Sequence, residues 1–243
     1  MPQHSAPGER LQAVALRIDN AASRADRPAP RLLAVGKTRD AGELAALLAL
    51  RLAAGEARPA FGENYVQEAA GKIEALAGRP VEWHLIGHLQ SNKARQAAAL
   101  FDWVQTLDRP KLVAALARHR PAERGPLNVL VQVNIDDEDS KQGCRPEDVP
   151  ALADAVAAEP RLALRGLMAI PAPHPEPSRR RAAFARMRAA FEALAARYPQ
   201  VDTLSMGMSD DLEEAIAEGA TMVRVGTALF GPRPAAGART GGE

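Results

Sequence analysis

The chain has 243 residues, of which 47% are hydrophobic and 25% charged, with a formal net charge of +1. That length suits one large α/β barrel or two small domains, with enough apolar material for a sizeable core. The even charge argues against a general nucleic-acid or membrane-surface binder. There is no apolar run of about 20 residues and no basic start followed by an apolar block, so neither a membrane span nor a secretory signal is expected. A lone cysteine, Cys144 in KQGCRPED, cannot form an internal disulfide and reads as a surface-loop thiol in a soluble cytoplasmic protein.

A helix over roughly Glu9 to Ala25 precedes the first strand. Eight short apolar runs then alternate with Ala/Leu-rich stretches of helical period. The strands are expected at 31–37, 59–63, 81–87, 102–108, 128–135, 162–170, 202–208 and 221–227. Most are continuously apolar, as parallel strands covered by helices should be. Asp40 is a good N-cap for the helix after the first strand. The longest helix, about Ser178 to Tyr198, places Phe184, Met187, Phe191 and Leu194 on one face; its many arginines read as a solvated face. After the eighth strand only TALFG and a Pro/Gly-rich end remain. The pattern predicts one (β/α)8 TIM barrel over 1–243 with an extra N-terminal helix, and flexible tails at 1–8 and 232–243. The leading helix is expected to cover surface that a full last helix would otherwise cover.

In such a barrel the active groups gather at the carboxyl ends of the strands. Lys37 is the one lysine that follows a buried apolar run, LLAVG. Lost hydration there would favour the neutral nucleophile; the alternative is a lysine that snorkels to the rim as an ordinary solvated charge. Asn64, after the second strand, could bond a ligand or simply cap a helix. His84 and His88 are four apart but lie on strand and turn with no third ligand evident, so no metal site is expected. Phosphate often binds after the seventh and eighth strands of this fold. Ser209 there sits at an expected helix start, and Gly226 with Thr227 offers bare backbone and a hydroxyl. Asp210, Asp211, Glu213 and Glu214 read as first-turn acids rather than catalytic carboxylates. Arg224 shares its strand face with Gly226 and should point inward, where it needs either a ligand's acceptor or a barrel carboxylate.

The segments LLAVGKT, FGENYVQE, WHLIGHLQSNK, LRGLMAIP and LSMGMSDDLEEAIAEGATMVRVGTALFG together resemble the YggS/PROSC family of pyridoxal-phosphate homeostasis proteins, over nearly the whole chain. Gly36 stands where that family usually has serine, and Asp40 where proline is common. The resemblance implies a barrel similar to the N-terminal domain of alanine racemase. It implies that Lys37 holds pyridoxal 5'-phosphate as a Schiff base and that Ser209, Gly226 and Thr227 hold the phosphate. Asn64 and Met206 would border the cofactor, and Arg224 would face its pyridine nitrogen. An always-charged arginine disfavours ring protonation and so makes a weak electron sink. The chain given also ends without the second domain that racemases of this fold use. The expected role is therefore a non-catalytic carrier in vitamin B6 homeostasis, with apo enzymes as possible recipients. The alternatives are a racemase or aldolase acting on small amino acids with Lys37 as base, and a phosphate-binding barrel enzyme without this cofactor.

Overall fold

The computed structural model describes residues 6–136, 142–172 and 174–232. Of the tails expected at 1–8 and 232–243, residues 1–5 and 233–243 lie outside the described residues; Pro7 and Gly8 form the first turn of a helix.

Helix α1 (Pro7–Ala25) leads into β1 (Arg31–Val35), followed by α2 (Ala41–Ala53), β2 (Ala60–Glu63), α3 (Val66–Ala75) and β3 (Glu82–Leu85). Then come α4 (Ala94–Leu100), β4 (Trp103–Leu107), α5 (Pro110–His119), β5 (Leu127–Gln132), α6 (Val149–Ala157) and β6 (Leu162–Met168). The chain continues through α7 (Pro177–Arg197), β7 (Thr203–Ser205), α8 (Leu212–Ala217), β8 (Met222–Val225) and α9 (Thr227–Phe230). The eight strands pair in parallel, in sequence order, and close into a barrel. Every expected strand is present, trimmed at one or both ends, because the expected ranges included residues of the connecting turns.

Local chemistry sets the boundaries. The Asp40 carboxylate accepts from Glu43 N at 2.8 Å, while Glu43 accepts from Asp40 N at 3.1 Å, a reciprocal cap that starts α2 where expected. Outward-facing strand residues and the inner helix faces form one continuous core that includes Ala34, Phe61, Leu85, Val104, Val129, Leu204 and Val223. Inside the barrel lie two smaller apolar clusters. Leu33, Ala60, Ile86 and Met222 make one; Trp103, Leu130 and Met168 make the other.

Helix α1 buries Val14, Ile18, Ala21 and Ala22, the stripe that an amphipathic helix docks with. It packs mainly on α8 and α9. Since α9 spans only four residues, α1 fills the place that a full last helix would occupy. Arg10 Nε donates to Leu229 O at 2.7 Å and Arg27 Nε to Ala217 O at 3.0 Å, so the helix is pinned at both ends.

Two readings of side-chain setting need correction. Cys144 is buried, not a surface thiol, because its segment returns to β5 and forms a bridge opposite Val133. Burial pushes its thiol up to about 12, which leaves it inert. The arginines of α7 are not merely solvated. Arg180 pairs with Glu214, and Arg181 and Arg188 pair with Glu218, so that face clamps α8.

Candidate functional site

Four adjacent strands bring the sequence-selected residues to one arc of the barrel mouth. The pairing Val35↔Gly62 sets Asn64 on one side of the β1 end, and Ala34↔Val225 sets Gly226 on the other. Arg224 N donates to Gly207 O at 3.0 Å, which brings the turn after β7 beside β8. Gly207 has φ +92, and a Cβ there would lie 2.5 Å from that of Ala215, so glycine alone lets this turn sit down on α8.

Lys37 lies in the turn after β1, with Gly36 N bonded to Gly62 O at 2.9 Å. Its side chain is exposed, which favours the solvated rim lysine over the desolvated amine: the strand ends at Val35, two residues before it. Among the described residues it has no ion pair or hydrogen bond. Thr38 follows at φ +66, the left-handed region that a β-branched residue rarely adopts, at a strain of about 1–3 kcal/mol. The turn is held from below. Buried Arg39 donates to Gly231 O at 2.5 Å and stacks 5.6 Å from the Phe230 ring, so it ties the lysine turn to the segment after α9.

Beneath the same turn, Lys72 Nζ donates to Gly36 O and to both Glu63 oxygens, each at 2.9 Å. Glu63 is fully buried; burial pushes its carboxyl up and the Lys72 ammonium holds it back. A Cβ on Gly36 would lie 2.5 Å from Glu63 Oε1, so glycine lets the pair approach this closely. Helical periodicity alone places Lys72 within a helix and gives it no partner. The available signal was its place on the buried face of α3, between Ala69 and Leu76, where a charge needs a partner.

Ser209 is not the N-cap of the following helix. It sits in the preceding turn, half-buried, with its carbonyl accepting from Arg17 Nη1 at 2.6 Å. Asp211 flanks α8 instead and accepts from Met208 N at 2.6 Å. Glu213 pairs with Arg17 and Glu214 with Arg180, and Asp210 is exposed, so these acids serve structure. Gly226 and Thr227 open α9; Thr227 is exposed, and the Val35 side chain and carbonyl lie 3.4 Å from where a Gly226 Cβ would be. Met206 is fully buried in the main core. Asn64 is half-buried and precedes α3 by two residues, beside a cavity of about 320 Å3 lined in part by Tyr65, His88 and Lys93. His84 is buried inside the barrel while His88 is exposed, so their spacing does not bring them to one site.

Arg224 points inward and is 4% exposed. Nη1 donates to Ser205 Oγ and Nη2 to Ala169 O, both at 2.8 Å. Among the described residues no carboxylate pairs with it, so a structural ion pair does not account for its burial. Burial pulls the guanidinium down to about 10, still charged at neutral pH. A buried cation with no salt bridge among the described residues, helped by the charge of Asp211, thus sits two residues before the Gly226–Thr227 turn and on the strand beside the one that leads to the exposed Lys37 amine. That combination fits a small aromatic aldehyde bearing a phosphate: amine for aldehyde, Gly226 and Thr227 for phosphate, Arg224 for an acceptor ring atom.

The family model described as alanine racemase, N-terminal domain, matches residues 10–234. A Pseudomonas aeruginosa protein named pyridoxal phosphate homeostasis protein is 54% identical over 227 residues, covering 93% of this chain and 95% of that one. The solved structure of PipY from Synechococcus elongatus with PLP bound is 33% identical, with a TM-score of 0.78 over 93% of this chain and all of that one. An alanine racemase of Clostridium difficile, 13% identical with a TM-score of 0.63, covers 89% of this chain and 56% of its own length, and shares the fold. No described helix is long and apolar enough to cross a membrane.

Proposed function

Because the chain belongs to the family of pyridoxal phosphate homeostasis proteins, on the alanine racemase N-terminal domain, we propose that it binds pyridoxal 5'-phosphate at Lys37 and stores or delivers it without turning over a substrate. When bound, the cofactor would supply an aldehyde that condenses reversibly with a lysine amine. Lys37 offers that amine, exposed and without an ion pair or hydrogen bond among the described residues. Ser209, Gly226 and Thr227 would hold the phosphate, with Asn64 and Met206 bordering the cofactor; Asn64 is half-buried and Met206 lies in the core.

The observation that carries the reading is Arg224. A ring nitrogen facing Arg224 would meet a donor-only cation, which would disfavour its protonation and weaken the electron sink that racemisation or aldol cleavage needs. A site that holds the aldehyde but withdraws electrons poorly suits a reserve from which apo enzymes draw.

The purified protein should be yellow. Borohydride should fix the cofactor on the peptide that contains Lys37, and Lys37→Ala should abolish both colour and label. A colourless chain that takes up no added cofactor rejects the binding claim. Steady-state racemisation or retro-aldol turnover, lost in Lys37→Ala, rejects the carrier claim alone.

A further inference from the structure

Hydrogen bonds run the length of the barrel interior, from its floor to Arg224 at the mouth. Arg224 Nη1 meets Ser205 Oγ at 2.8 Å, and Ser205 Oγ meets Gln105 Oε1 at 2.7 Å. Gln105 Nε2 meets His84 Nδ1 at 2.9 Å and Met222 Sδ at 3.2 Å. His84 Nε2 meets Glu82 Oε1 at 2.7 Å, and Arg31 Nη2 closes on the same oxygen at 2.9 Å. Ser205, Gln105 and His84 are each 0% exposed, and the His84 ring stacks on Trp103 with centroids 5.1 Å apart.

Donor chemistry fixes the direction of every link. An arginine only donates, so Ser205 Oγ accepts from it and sends its one proton to Gln105. The Gln105 carbonyl therefore faces Ser205 and its amide NH2 faces His84. Nδ1 must then accept, so Nε2 carries the hydrogen and donates to Glu82. The reversed arrangement fails twice. It leaves the Ser205 proton buried without an acceptor, and it sets a bare Nε2 against a carboxylate oxygen. A doubly protonated ring is opposed by complete burial. The charged groups that face His84 are Glu82 on its own strand, Arg31 on β1 and Asp102 at the start of β4. Arg31 lies against Glu82, and Asp102 is paired with Arg58 and Arg124.

We propose that Ser205, Gln105 and His84 form a one-way relay from Arg224 to the Glu82 carboxylate, and that they are positioning residues holding the guanidinium in one orientation toward the cofactor ring. The relay itself stands on the hydrogen-bond geometry. Its effect on the ring rests on the proposed function.

The two parts separate experimentally. In the cofactor-stripped full chain labelled with 15N-histidine, His84 should show a protonated Nε2 and a bare Nδ1, unchanged between about pH 5.5 and 8. A protonated Nδ1, or a ring that charges within that range, overturns the relay whether or not any cofactor binds. Ser205→Ala cuts the relay at Arg224 but leaves Gln105 on His84. In that variant the His84 tautomer should persist, the absorption of bound cofactor and its pH dependence should shift, and affinity for pyridoxal 5'-phosphate should fall roughly five- to tenfold. Borohydride labelling of Lys37 should remain. Ser205→Thr, which keeps the hydroxyl, should restore the spectrum. Gln105→Leu provides a second break, and there both the tautomer and the spectrum should change. A spectrum identical to the native one in both broken variants rejects the positioning role. If the native chain binds no cofactor, the ring-facing half falls with the proposed function, and the His84 tautomer still decides the relay.

Discussion

Lys72 and Glu63 form a buried ion pair directly under the turn that carries Lys37. Lys72 spends its three donors on the two carboxylate oxygens and the Gly36 carbonyl, so it neutralises Glu63 and also anchors the turn. Removing one member of a buried pair leaves a charge with neither water nor partner, at about 3–5 kcal/mol. Lys72→Met should lose that much stability in urea denaturation at neutral pH. The sign with pH follows from Glu63. Without Lys72 its folded pKa lies further above the unfolded value of about 4.3, so the folded variant prefers a protonated carboxyl. The loss should therefore grow as pH rises from about 5 to 8. A variant with native stability across that range contradicts the arrangement. Pairing Lys72→Met with Glu63→Gln should recover much of the loss.

Helix α1 acts as the outer brace of the segments after β7 and β8. Its apolar stripe docks on α8 and α9, while Arg17 grips Glu213 with both nitrogens of its fork and bonds the Ser209 carbonyl. The pair is about one-third exposed, so solvent screening limits its worth to roughly 1 kcal/mol. Arg17→Ala should therefore leave the barrel folded. Its effect belongs to one element: amide hydrogen exchange across 208–217 should quicken while the strands keep their protection. Equal exchange in that segment would remove α1 from any role in shaping the loop after β7. Pyridoxal 5'-phosphate affinity should also fall in this variant if Ser209 holds the phosphate.

Acid stability belongs to the whole barrel, because its interior stores ionisable groups with shifted pKa values. His84 is held below its ordinary value, by burial first. Burial works to raise the Glu82 carboxyl, but the bonds from His84 and Arg31 outweigh it and hold that group below the usual range. Both shifts mean that the unfolded chain binds the proton more readily, so both stabilise above the unfolded pKa and fade in acid. For His84 the loss begins as pH falls below about 6.5; for Glu82 it begins near 4.3. Glu63 and Asp211, raised by burial, act in the opposite sense. The His84 contribution is isolated by comparison: urea midpoints of His84→Phe should fall less between about pH 6.5 and 5 than those of the native chain. Parallel slopes would show that this ring is not a buried neutral group.

Hydrophobic periodicity and turn chemistry determined the strand count and the Asp40 cap, because each follows from local rules that act within about ten residues; the strand order and the covering role of the leading helix followed from the closed barrel that eight alternations imply. Lys37, Asn64, Ser209, Arg224, Gly226 and Thr227 were legible as residues at strand ends, since a barrel sends every strand's carboxyl end to the same face. The state of those residues was not legible. Lys37 is exposed and Met206 buried because strand ends and turn geometry set how far each side chain stands from the core. Cys144 is buried because its segment folds back on β5. The Lys72–Glu63 support and the relay from Arg224 to Glu82 join residues from separate elements. The inward positions of Glu82 and His84 could be read from strand alternation, but their partners could not. Which polar groups meet inside the barrel depends on strand tilt and register around the closed sheet, and only the tertiary structure decides that.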